Sequence, residues 1–262
     1  VSFVSSIYES PLDGSLYIFG MGKAFSPPNG MGVIVKLNTD GSLNFCENFL
    51  SDQIFTDVII TDVLEYNSQL YFLYNLSSGA SGIAWGAYDT IVNSFNILGN
   101  RSFVIPTNNI FIPNSTVATS MKAIYNPISM EGELIICGTS RNGFTTNHNG
   151  FWIRTSLSGD LLDGLILDTY PYNFINKLDL YQTPSETYLA LFGYIVNTEA
   201  AMSNTNGLTI LSKTEDSIPS CNSQLSEIEF SNQFFERTAL ETSTSSKNHI
   251  TTHYKCKGKN VG

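Results

Sequence analysis

Short runs of aliphatic and aromatic residues, broken by Gly, Asn, Asp, Ser and Pro, fill the chain. No segment sustains the 3.6-residue period of an amphipathic helix. Four of the runs share one register: Leu16-Tyr17-Ile18-Phe19-Gly20, Leu70 to Tyr74, Leu134 to Gly138, and Leu189 to Gly193. Consecutive apolar positions mean that a strand built from any of them must be covered on both faces. Ahead of each stands another strand-like run and a turn, as in Ile7-Tyr8-Glu9-Ser10-Pro11-Leu12-Asp13-Gly14 and Ile124-Tyr125-Asn126-Pro127 with Glu131-Gly132. Val63 to Ser68 and Leu178 to Ser185 fill the same slot, and the pattern predicts antiparallel hairpins.

A second hairpin follows each glycine or its substitute. The first runs Gly32–Leu37, turns at Asp40-Gly41 and returns over Leu43–Leu50. The others turn near Asn93-Ser94, at Ser158-Gly159 and at Glu215-Asp216. Four four-stranded units result, at 1–50, 55–99, 120–168 and 173–222, with a partial fifth at 234–262 and an insertion at 101–119. Units of roughly 50 to 65 residues have the length of a propeller blade. Cys46 and Cys221 fall at matching places in the first and fourth units, which supports the alignment. A twisted sheet apolar on both faces is stable only when stacked. The expected fold is therefore all-β, a single β-propeller-like array of four-stranded antiparallel blades, with a β-sandwich as the alternative.

The chain has 262 residues, of which 12% are aromatic and only 14% charged, against about 25% charged in an ordinary domain. A surface so poor in charge is rich in Ser, Thr and Asn, which suits an extracellular or cell-surface setting. The net charge of −10 disfavours nucleic acid and anionic lipid as partners, and no apolar stretch reaches membrane-spanning length. The start at Val1 is read as a mature product or a fragment. Cys46, Cys137, Cys221 and Cys256 form no Cys-x-x-Cys pair, which sets aside zinc-ribbon and redox chemistry. Two disulfides in an oxidising compartment remain, with three possible pairings; Cys221–Cys256 is preferred because it closes the shortest loop, which leaves Cys46–Cys137, and Cys137 is otherwise a buried thiol.

From Tyr17-Ile18-Phe19-Gly20 through Asn29-Gly30-Met31-Gly32-Val33-Ile34-Val35-Lys36-Leu37-Asn38-Thr39-Asp40-Gly41-Ser42-Leu43, the sequence resembles the SBBP-like β-propeller repeats of large secreted and cell-surface proteins. The likeness is good in the first unit, fair in the third and weak in the second and fourth; in the second, Tyr74 replaces the glycine and Asn93 the Asp-Gly turn. It implies a propeller, an extracellular location and a scaffold or adhesive role. It carries no catalytic residues.

Candidate chemistry is sparse. Some propellers hydrolyse glycosides with paired carboxylates, and Asp57, Asp62 and Asp179 lie near the strands that would line a channel. The Ser-x-Asp-x-Gly-x-Thr-Trp box of sialidases is missing, and Arg101, Arg141, Arg154 and Arg237 occupy unrelated repeat positions. His249 and His253, four apart on an expected strand, stand roughly 13 Å apart, too far for one metal. No resident metal or cofactor is expected, beyond weak calcium binding by the acidic surface. Asn75, Asn100 and Asn114 are N-glycosylation acceptors expected at strand ends or loops. The sequence favours a non-enzymatic structural or adhesive module that self-associates or joins other surface proteins, with a glycoside hydrolase or glycan-binding lectin as the alternative.

Overall fold

The computed structural model describes residues 3–23, 30–51, 56–89, 91, 94–105, 115–126, 131–141, 148–167, 172–182, 187–197, 204–213, 229–231 and 235–239. All its regular structure is strand, in four antiparallel sheets arranged as propeller blades. Blade one is β1 (Phe3–Glu9), β2 (Leu16–Lys23), β3 (Gly30–Leu37) and β4 (Leu43–Ser51). Blade two is β5 (Val58–Tyr66), β6 (Gln69–Leu76), β7 (Ser81–Asp89) and β8 (Ser94–Val104). Blade three is β9 (Ser115–Asn126), β10 (Glu131–Arg141), β11 (His148–Ser156) and β12 (Leu161–Leu167). Blade four shows β13 (Asn173–Gln182), β14 (Thr187–Asn197) and β15 (Asn204–Lys213). The expected turn at Glu215-Asp216 and the strand after it lie outside the described residues.

Two short strands return to earlier blades. β16 (Glu229–Ser231) pairs with β8, and β17 (Phe235–Ala239) pairs with β4, each extending the edge of its sheet. The rest of the expected fifth unit, 240–262, lies outside the described residues. Both ends of the expected insertion at 101–119 are strand, since β8 runs through Val104 and β9 starts at Ser115.

The turns explain why the pattern repeats. At Asn38–Ser42 the Asn38 amide donates to the Ser42 carbonyl at 2.8 Å, and Gly41 donates back to Asn38 at 2.9 Å. Ser156–Asp160 reproduces both bonds, at 2.8 and 3.0 Å. Gly41 (φ 81°) and Gly159 (φ 80°) occupy the left-handed region that such a loop requires. Between β5 and β6, Asn67 and Ser68 (φ 50° and 61°) make a two-residue turn of the mirror-image kind.

The innermost strand of every blade carries one bulged residue: Ser5, Thr61, Thr119 and Asn176. Opposite the bulge stand Gly20, Tyr74, Gly138 and Gly193. A Cβ on Gly20, Gly138 or Gly193 would lie within 2.2 Å of a backbone oxygen of the bulged strand, so the glycines that end the apolar runs make room for the bulge. Blade two solves the same problem differently. Tyr74 turns its ring over Gly82 on β7, where a Cβ would meet the ring at 2.3 Å.

Each blade packs its apolar residues on the next. Blades one and two share an aromatic core in which Phe49 meets Phe72 (centroids 4.6 Å) and Phe45 stacks on Tyr88 (4.5 Å). Leu73, Ile83, Met121, Leu134, Ile136 and Phe151 join blades two and three. Ile135, Cys137, Trp152, Ile175, Leu178 and Leu191 join blades three and four. Among the described residues, no apolar cluster joins blade four to blade one.

Candidate functional site

The three carboxylates singled out in the sequence serve three different seams. Asp57 immediately precedes β5 and accepts a hydrogen bond from the Gly30 amide, tying blade two to blade one. Asp62 sits just after the bulge of β5, buried against blade three. Its Oδ2 accepts from the Met121 amide at 2.7 Å and from Ser120 Oγ at 3.2 Å, and its Oδ1 from the Val63 amide at 3.0 Å. Burial pushes its pKa above the ordinary carboxylate value, and the Lys177 charge and these donors pull it partly back. Asp179, exposed on β13, pairs with Lys122 at 3.4 Å. Each group therefore has a structural partner at its own seam.

A polar cluster that the sequence did not reveal lies at the rim between blades one and two. Lys36 reaches Asp13 at 3.1 Å and Glu65 at 3.7 Å, and its ammonium stands 4.9 Å from the Tyr17 ring centre. Tyr17 and Ser10 donate their hydroxyls to Glu65. Hydrogen bonds from Ser15 hold the Asp13 carboxyl well below its usual range, while burial and the Glu65 carboxylate raise the Tyr17 phenol. The cleft they line encloses about 260 Å³, below the roughly 300 to 1,000 Å³ of small-molecule sites. Its members face each other, and the cluster clamps two blades together. Residues from separate units meet there, so no local motif announces it.

The remaining expected sites divide. Cys46 on β4 and Cys137 on β10 are free thiols in different blades, so no Cys46–Cys137 bridge forms, and Cys221 and Cys256 lie outside the described residues. The buried-thiol reading of Cys137 holds, and burial pushes its pKa up to about 12. Asn75 lies near the end of β6, as expected, but it is buried, and its Nδ2, the atom a glycan would take, donates to the Ala118 carbonyl at 2.8 Å inside a seam. Asn100 is half-buried within β8; Asn114, His249 and His253 lie outside the described residues. No cluster of three His, Cys, Asp or Glu side chains suited to a metal occurs among the described residues, and no helix there is long and apolar enough to cross a membrane.

Two outer sheet faces depart from the burial that their repeat positions have in the other blades. Relative to the bulge, Val4 and Ile7 of β1 occupy the positions of Ile60 and Val63, Ala118 and Met121, and Ile175 and Leu178. The latter six are at most 1% exposed, whereas Val4 is 61% and Ile7 60% exposed. Leu16 and half-buried Ile18 continue this face on β2, with Cys46 beside Val35 on β4. Blade four mirrors it on its far side. Phe192 is 42% exposed, while its counterparts Phe19, Leu73 and Cys137 are at most 2%. Neither a protein-family model nor a curated protein matches this chain.

Proposed function

We propose that this protein is a non-catalytic structural module, a building block of a larger extracellular or surface assembly, of the SBBP-like propeller-repeat type. One observation carries the reading: positions buried in every filled seam stand open to solvent on blade one. Exposed contiguous apolar surface usually marks an interface. The low charge and the Ser, Thr and Asn content favour the extracellular setting, and the repeat from Tyr17 to Leu43 favours the kinship. The three carboxylates that a glycosidase would need are engaged at separate seams, which weighs against the carbohydrate-active alternative. Sedimentation velocity over a wide concentration range, with negative-stain imaging, tests the reading. Association into larger particles is expected; a monodisperse monomer at every concentration, alone and among its native surface partners, overturns it.

A further inference from the structure

We propose that the two open faces are halves of one seam, filled when blade four of one copy docks on blade one of a second copy, head to tail. The inference rests on the assembly reading above and adds the partner and the geometry.

The repeat register supplies the argument. Within the chain, each seam joins the forward face of one blade to the backward face of the next, using the same positions each time. Blade four presents a forward face with Phe192, Tyr188 and Tyr194 on β14, beside Phe174 of β13, which stacks on Tyr194 at 4.5 Å. Blade one presents a backward face with Val4, Ile7, Leu16 and Ile18. A second copy therefore offers to each face the surface that its repeat equivalents already cover.

A polar pin points the same way. Thr61, at its bulge, donates its hydroxyl to the Ala118 carbonyl of the next blade at 2.9 Å. Thr119, at the next bulge, donates to the Ile175 carbonyl at 3.0 Å. Ala118 and Ile175 immediately precede the bulges of their own strands. The first bulge residue, Ser5, is exposed and takes no part, so the pin occurs at two of the three filled seams. The fourth, Asn176, carries a donor and is exposed, and following Thr61 and Thr119 its target is the Val4 carbonyl of the docked copy. Lys177 beside it is exposed on the forward face, where the carboxylate of Asp179 is already paired with Lys122, and Glu9 is exposed on the backward one, so Lys177 and Glu9 offer charges of opposite sign.

Leu240 to Gly262, dominated by Ser, Thr, Lys, Asn and Gly, carries little of the apolar surface that a filled seam uses. Because forward and backward faces differ, the contact is heterologous and propagates into an open chain or a ring of copies.

The test uses Ile7→Arg and Phe192→Arg, both at exposed positions, so far-UV circular dichroism should match the parent chain. In sedimentation velocity the parent forms a series of species that grows with concentration, and each variant alone stays monomeric. An equimolar mixture of the two forms a one-to-one complex and stops there, because each variant keeps one intact face. If Phe192→Arg alone still dimerises while Ile7→Arg does not, blade one pairs with itself and the head-to-tail seam is wrong. A mixture that remains monomeric, or a variant that associates like the parent, also overturns it while leaving the assembly reading in place. A parent chain that never self-associates overturns the inference, and the module reading then passes to other partners.

Discussion

Blade two and blade one are built from the same repeat, yet blade two is buried on both faces and blade one on only one. The strand positions and the bulge correspond, and all four of Ile60, Val63, Val4 and Ile7 are aliphatic, so the difference in their burial comes from what lies against them. Apolar character at a repeat position is thus set by the unit, while burial is set by the neighbour. Faces that meet solvent in repeat proteins carry polar residues, as capping repeats do; Val4 and Ile7 instead give blade one's outer face the chemistry of a filled seam.

The comparison breaks most readily by truncating equivalent side chains in a filled and an open seam. Leu178→Ala in β13 removes a fully buried side chain and should cost about 2 to 5 kcal/mol. Ile7→Ala, at the same repeat position, should change stability by no more than about 0.5 kcal/mol. Urea unfolding at low protein concentration measures both. Equal losses would mean that blade one's outer face is covered within the monomer.

A smaller contrast separates the bulge residues. Thr119→Val keeps the shape but removes the donor to the Ile175 carbonyl, with an expected loss of about 0.5 to 1.5 kcal/mol. Ser5→Val, at the exposed bulge of β1, should be within about 0.5 kcal/mol of neutral. Similar losses at both sites would show that the bulge is stabilised within its own blade, and the inter-blade pin would then carry nothing.

Much of this organisation was legible in the sequence because it is local. The runs Leu16 to Gly20, Leu70 to Tyr74, Leu134 to Gly138 and Leu189 to Gly193 sit in the register in which they were aligned, and Asp40-Gly41 and Ser158-Gly159 form equivalent turns. The bulges were not legible, since Ser5, Thr61, Thr119 and Asn176 share polarity and little else. Their trace was the glycine opposite, and in blade two even that trace moves to Gly82. The Asp13–Lys36–Glu65 clamp and the burial of Asn75 depend on residues far apart in the chain, which no local pattern encodes. Asn75 matched an acceptor motif because the motif is short; the folded chain uses its amide as a bridge between blades.

The finest contrast is between Asp62 and Lys177, which follow the bulges of β5 and β13 at one repeat position. Asp62 is enclosed in a seam, whereas Lys177 is exposed. Burial raises the Asp62 pKa above its ordinary value of 3.8, so between the two values the folded state binds more protons than the unfolded one. Stability from this group is fully present below the ordinary value and is lost as pH rises through the raised one. Asp62→Asn removes that dependence, so the variant's unfolding free energy relative to the parent should increase with pH across this window. Lys177→Met also removes the charge that partly offsets the burial, shifting the parent's loss to higher pH. Urea midpoints of the three proteins, taken from acidic to neutral pH, check both statements. A difference that stays flat would show that the Met121 and Ser120 hydrogen bonds outweigh burial, leaving Asp62 an ordinary ionised carboxylate inside a filled seam.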